Sequence, residues 1–296
     1  VRNAAGSALP GFDTQATTLV QVEPLQRDPA IPPIQSYAQQ RLWFLDRLAP
    51  GNPAYNTSRV IELDGPLDIS ALERSLGEII RRHEVCRTNY GTRDGMPIQI
   101  IHAAQTLKLG RIDLSELQPA VQQAELERIA RTEVMVSFDL ARDPLWRAVL
   151  LRLSPHQHVL VLLIHHILSD AWSRAVIHQE LSALYNAHVG GRLPSLAELP
   201  LQYADYAAWQ RQIMEGEEGK QLQSYWLQQM RDAPLTLGFP TDRPRPPVQT
   251  HVGASKTLLL RNELLQKLKV LSHREHATLF MTLLCAFNVL LNRYSG

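Results

Sequence analysis

The chain has 296 residues, 45% of them hydrophobic and 20% charged, enough to bury one large core or two modest ones. A net charge of +1 creates no field that would draw it to nucleic acid or to an anionic membrane. The longest apolar stretches, such as Val159 to Ile164, are far too short to span a bilayer, and no N-terminal segment shows the charged, apolar and cleavage-site order of a secretory signal.

Residues 1–33 carry Gly, Ser, Thr and Pro with weak periodicity and read as a linker. A helix is predicted over Ala38 to Leu48, where Leu42, Leu45 and Leu48 recur along one face. Arg59 to Leu63 alternates like a strand. Asp68 or Ser70 can cap a helix whose Leu72, Leu76, Ile79, Ile80 and His83 share a stripe. A strand over Pro97 to His102 and a long helix over Leu117 to Val136 follow. Next come strands over Leu145 to Leu153 and His158 to His165, joined by the turn-like Ser154-Pro155-His156. The second is nearly all Val, Leu and Ile, the composition of a strand buried on both faces.

A helix over Trp172 to His188 comes next, then helices over Tyr203 to Glu215 and Gln221 to Arg231. The Pro-rich run from Asp242 to Pro247 marks a boundary, after which a strand (Ser255 to Leu260), a helix (Glu263 to His273) and an apolar helix from Thr278 restart the pattern. The expected division is a linker (1–33), a lobe (34–240), a connector (241–253) and the start of an incomplete second unit (254–296). Strands interleaved with helices predict α/β layering. Cys86 and Cys285 lie far apart without a Cys-x-x-Cys pattern, which suggests small buried hydrophobes in a reducing cytoplasm. Val at position 1 suggests a piece of a longer chain.

The segment richest in chemistry is His165-His166-Ile167-Leu168-Ser169-Asp170-Ala171-Trp172-Ser173, at the exit of the buried strand. Neighbours on a strand point to opposite faces, so His165 and His166 cannot both face one cavity. Asp170 can bond an imidazole, cap the following helix or pair with an Arg elsewhere. The same spacing also suits a purely structural histidine pair followed by a capping Asp. A metal site on His166 and Asp170 lacks an obvious third ligand. His273 and His276 read as a solvated helix end. No Gly-x-Ser-x-Gly elbow or Gly-rich phosphate loop is present, which argues against a serine hydrolase or an ATPase.

This segment resembles the His-His-x-x-x-Asp-Gly signature of the chloramphenicol-acetyltransferase-like acyltransferases. Three further segments narrow the resemblance to condensation domains of nonribosomal peptide synthetases: Ser36 to Leu45, Arg82 to Thr88 and Tyr203 to Gln210. Ala277 to Phe280 and Leu290 to Gly296 are similar to the mid-domain helix of that family. The resemblance runs from about Pro33 to the end. It implies an α+β two-layer sandwich, one chloramphenicol-acetyltransferase-like lobe with the beginning of a second. It also implies peptide-bond formation between aminoacyl and peptidyl thioesters in secondary-metabolite and antibiotic biosynthesis. The substrates are carried on phosphopantetheine, with no cofactor or metal bound directly. The implied partners are upstream and downstream peptidyl carrier domains and an adjacent adenylation domain, not nucleic acid or membrane, in the cytoplasm.

By the same resemblance the catalytic motif comprises His166, His165 and Asp170, with His166 central and His165 packed away from the tunnel. Asp170 is expected to anchor the fold by pairing with Arg82, or alternatively Arg87. Ala171, Ser173 and Trp209 are expected along the substrate channel, while Ser36, Arg41, Tyr206 and Trp209 also suit core packing. Ala171 stands where the motif has Gly, and its methyl group is expected to narrow the channel and reduce activity. A chain with only the start of a second lobe is expected not to catalyse condensation alone. An epimerization domain, a coenzyme A acyltransferase and a non-catalytic docking or remnant module are the rival readings. Ala171-Trp172-Ser173 after the Asp favours condensation over epimerization.

Overall fold

The structure is a computed structural model and describes residues 22, 24, 28, 31–104, 107–235, 238–244, 246–247, 254 and 256–295. Most of the expected linker therefore lies outside the described residues. The chain divides into two compact units, residues 1–220 and 221–296. The boundary expected at the Pro-rich connector thus falls inside the second unit.

In the first unit, Ser36 opens helix α1 (Tyr37–Leu48) with a capping box in which its hydroxyl accepts from the Gln39 N–H and Gln39 returns the bond. Strand β1 (Asn56–Asp64) leads to α2 (Ile69–Arg82), whose Asp68 cap accepts from the Ala71 N–H at 2.8 Å. The stripe Leu72, Leu76, Ile79 and Ile80 is buried as its spacing requires, while His83 ends the helix instead of belonging to it. Strands β2 (Thr88–Arg93) and β3 (Met96–Ile101) form a separate hairpin. Asp94 and Gly95 both take positive φ at its tip, the backbone of a tight hairpin turn matched to strand twist.

Strand β4 (Leu109–Asp113), helix α3 (Pro119–Met135), β5 (Trp146–Ser154) and β6 (Gln157–His165) follow. The main sheet has the order β1-β6-β5-β4, antiparallel except for β4 beside β5. Strand β6 is central, and every residue from His158 to His165 is buried. Helix α4 (Ala171–Val189) packs on α2, and Leu76, Ile79, Leu163 and Leu184 meet in a single hydrophobic core. Helix α5 (Tyr203–Glu215) closes this unit, and α6 (Glu217–Gln229) spans the division at residue 220.

The second unit holds α7 (Asn262–Arg274) and α8 (Leu279–Ser295), set at 104° to each other. The strand expected over Ser255 to Leu260 does not form among the described residues of that segment. No strand of this unit offers it a partner, and an unpaired extended segment has no ladder to join. No single helix among the described residues is long and apolar enough to cross a membrane.

Candidate active site

The chain leaves β6 at His165 and turns tightly before α4. Three backbone bonds fix that turn: His166 N–H to Tyr55 O (2.8 Å), Leu168 N–H to His165 O (3.0 Å) and Ser169 N–H to His166 O (3.4 Å). The two histidines consequently sit in opposite environments. His165 is 3% exposed, accepts the Ile167 N–H on Nδ1 at 3.1 Å and meets the Phe138 ring edge-on at 6.2 Å. Burial, with the neighbouring His166 charge, pulls its pKa down to about 4. It is a neutral packing residue and is not part of the cleft wall, so its place in the catalytic set is lost.

His166 is exposed and lines a cleft of about 460 Å³ formed by α1, the end of α2, the turn and the start of α5. Its Nδ1 lies 2.7 Å from Ser169 O. A carbonyl can only accept, so Nδ1 carries the proton and Nε2 is left with its lone pair. This fixes the tautomer a base in the cleft requires. Ser169 and Asp170 share the wall, and the Ser169 hydroxyl is buried with no hydrogen-bond partner. Unspent hydrogen-bonding capacity of that kind suits a polar atom of a bound substrate.

Asp170 does not pair with Arg82 or Arg87. Its Oδ1 accepts from the Ser173 N–H (2.8 Å) and hydroxyl (2.7 Å), capping α4, and these bonds hold its carboxyl below the usual range. Arg82, almost fully buried, reaches Glu180 (3.4 Å) and Ala197 O (2.9 Å). Glu180 also accepts from His83 Nε2 at 2.8 Å, so one carboxylate of α4 ties down the end of α2. Arg87 turns to Glu84 (3.6 Å) and to His102 O. The physical reason is reach: Ser173, three residues on, offers two donors at no chain-closure cost, whereas both arginines already have acceptors.

Of the residues expected along the channel, only Ser173 lines the cleft. Ala171 is exposed on the first turn of α4 and does not contact that space, so a methyl group there does not narrow it. Trp209 is half-buried on α5, 5.8 Å from the Tyr206 ring, and also outside the wall. Arg41 does line the cleft, and Ser36 reaches its edge through a 3.1 Å bond to the Tyr203 hydroxyl. Cys86, in the wall as well, has its thiol pushed up to about 12 by burial and so stays protonated. His83, Ser169 and Tyr203 are wall residues that sequence reasoning passed over. The bonds of His83 and Tyr203 run to Glu180 and Ser36, 97 and 167 residues away in the chain. Among the described residues no group of three His, Cys, Asp or Glu is placed to hold a metal ion.

A strand-to-helix turn that presents one histidine to a cleft and buries the other is the arrangement of an acyltransferase-type lobe. The condensation-domain family matches residues 34–296, and the chain belongs to that family. It is 48% identical over 292 residues to one of the linear gramicidin synthase proteins of Brevibacillus parabrevis, and 40% identical over 277 residues to phosphinothricin tripeptide synthetase PhsC of Streptomyces viridochromogenes. Those matches cover 96% and 91% of this chain, which spans 4% and 26% of the respective relatives. Among solved structures, the X-domain from teicoplanin biosynthesis aligns at a TM-score of 0.81 and 29% identity, covering 93% of this chain and 60% of that one. The starter condensation domain of rhizomide synthetase aligns at 0.63 and 22%, covering 69% and 49%, and shows the shared fold.

Proposed function

We propose that this chain forms peptide bonds between carrier-bound thioesters, with His166 as the group that handles the amine proton. The observation that carries this is the 2.7 Å bond from His166 Nδ1–H to Ser169 O, which leaves Nε2 as an acceptor in the cleft. The acceptor amine nitrogen attacks the donor thioester carbon, the new C–N bond forms, and the C–S bond breaks. The proton lost by nitrogen passes to Nε2 and from there to the departing sulfur. The Ser169 hydroxyl, buried and unpartnered, is available to the developing oxyanion. Asp170 shapes the turn by capping α4 and takes no proton. The substrates arrive on phosphopantetheine arms of carrier domains beside an adenylation domain, in the cytoplasm.

The test is single-turnover dipeptide formation between loaded donor and acceptor carrier proteins, with the chain inside a complete synthetase module. His166→Ala lowers the rate by about 10²- to 10⁴-fold, and His165→Gln, if folded, lowers it far less. A His166→Ala variant with an unchanged rate would remove this residue from the chemistry.

A further inference from the structure

On the other side of Cys86 lies a second, larger cavity of about 730 Å³, between the β2–β3 hairpin and the starts of β4 and β5. Cys86 belongs to the walls of both cavities, but none of the cleft's reactive groups reaches this one. Three of its wall residues carry a buried N–H with no acceptor: Arg87 Nε, Trp146 Nε1 and Arg147 Nε. Trp146 is 2% exposed, and the Arg147 guanidinium is stacked over Phe138 at 4.0 Å. All three groups can only donate. Buried donors left unmade cost free energy, so three around one cavity point to an occupant rich in acceptors.

Charge and shape narrow the occupant. Arg87, Lys108, Arg142 and Arg147 line the cavity against two carboxylates, Glu133 and Asp143, and Asp143 Oδ2 already accepts the Asp139 N–H at 2.8 Å. The excess of cations favours an oxyanion. The volume is several times that of an inorganic phosphate ion, and Ile80, Leu107, Leu145 and Val149 supply apolar wall. We propose that this cavity binds an organic phosphate, its phosphoryl oxygens on the Arg87, Trp146 and Arg147 donors and its apolar body against Leu145 and Val149. This goes beyond the condensation reaction and does not depend on it.

Calorimetric titration of the full chain at low ionic strength, with phenyl phosphate, inorganic phosphate and benzyl alcohol, tests the idea. Phenyl phosphate binds saturably at one site, inorganic phosphate binds several-fold more weakly, and benzyl alcohol does not saturate. Trp146→Phe and Arg147→Met each weaken phenyl phosphate by about fivefold or more, while His166→Ala leaves it unchanged. Circular dichroism establishes that each variant is folded. Should Arg147→Met fail to fold, Trp146→Phe carries the test, because it removes the N–H and keeps an aromatic ring. No saturable binding would mean that water alone serves these donors and would overturn the proposal. So would unchanged affinity in folded variants, equal affinity for benzyl alcohol, or loss of binding in His166→Ala, which would move the ligand to the cleft.

Discussion

At residue scale, two covalently adjacent imidazoles differ by a single strand step, and that step decides their chemistry. His165 is buried against Phe138 and Tyr55, with its pKa drawn down to about 4. An unfolded histidine titrates near 6.5. Between these values the unfolded chain holds the extra proton, so the folded state loses stability as pH falls from about 6.5 and the loss is complete near 4. The full swing is on the order of 3 kcal/mol. Urea unfolding of the wild type and of His165→Gln across that window checks it. The variant has the shallower dependence on pH, and parallel curves would show that His165 titrates normally in the fold. The opposite facing of the pair was legible from the pleat of a strand. The lone acceptor on His166 was not, because it depends on where the Ser169 carbonyl turns, a matter of loop backbone that no side-chain pattern records.

At the scale of elements, the choice is which carboxylate anchors α4. Asp170 caps its first turn through Ser173, whereas Glu180, in its middle, sits between His83 and an Arg82 side chain that is only 4% exposed. Removing a cap costs about 1 kcal/mol, while stranding a buried guanidinium costs about 3–5 kcal/mol. Denaturant melts should therefore rank Glu180→Ala well below Asp170→Ala in stability, and the reverse order would restore Asp170 as the anchor. The motif pointed to Asp170 because it fixes sequence neighbours, but the geometry that selects Glu180 joins residues 98 apart in the chain. Helices α1 to α5 were legible from stripes and caps, and β6 from its unbroken apolar run. The β2–β3 hairpin was passed over although Asp94-Gly95, a strong turn signal, marks it; its flanks, Thr88 to Arg93, lack the apolar alternation that draws attention to a strand. Strand β4 was hidden for a related reason: as an exposed edge, only its Leu109 is buried.

At the scale of the molecule, burial is distributed very unevenly between the two units. Strand β6 is hydrogen-bonded to β1 on one side and β5 on the other, with both faces in the core. In residues 221–296, Ser272 is the one buried residue among those described, held by its 2.7 Å bond to Thr282, while Phe280, Met281 and Phe287 of α8 are exposed. A unit that buries so little apolar surface has little to oppose its chain entropy. Opening should thus be local and graded, not a single event for the whole chain. Amide hydrogen exchange resolves this directly. The amides of Val159 to Ile164 are expected to exchange only through global unfolding, orders of magnitude more slowly than those of α7 and α8, with edge strand β4 between them. Adding denaturant to half the unfolding midpoint should leave the rates in α7 and α8 nearly unchanged, since their opening exposes little new surface, while exchange in β6 accelerates steeply. Protection of α8 equal to that of β6 would mean that the second unit draws its stability from the same cooperative core, contrary to the burial of its residues.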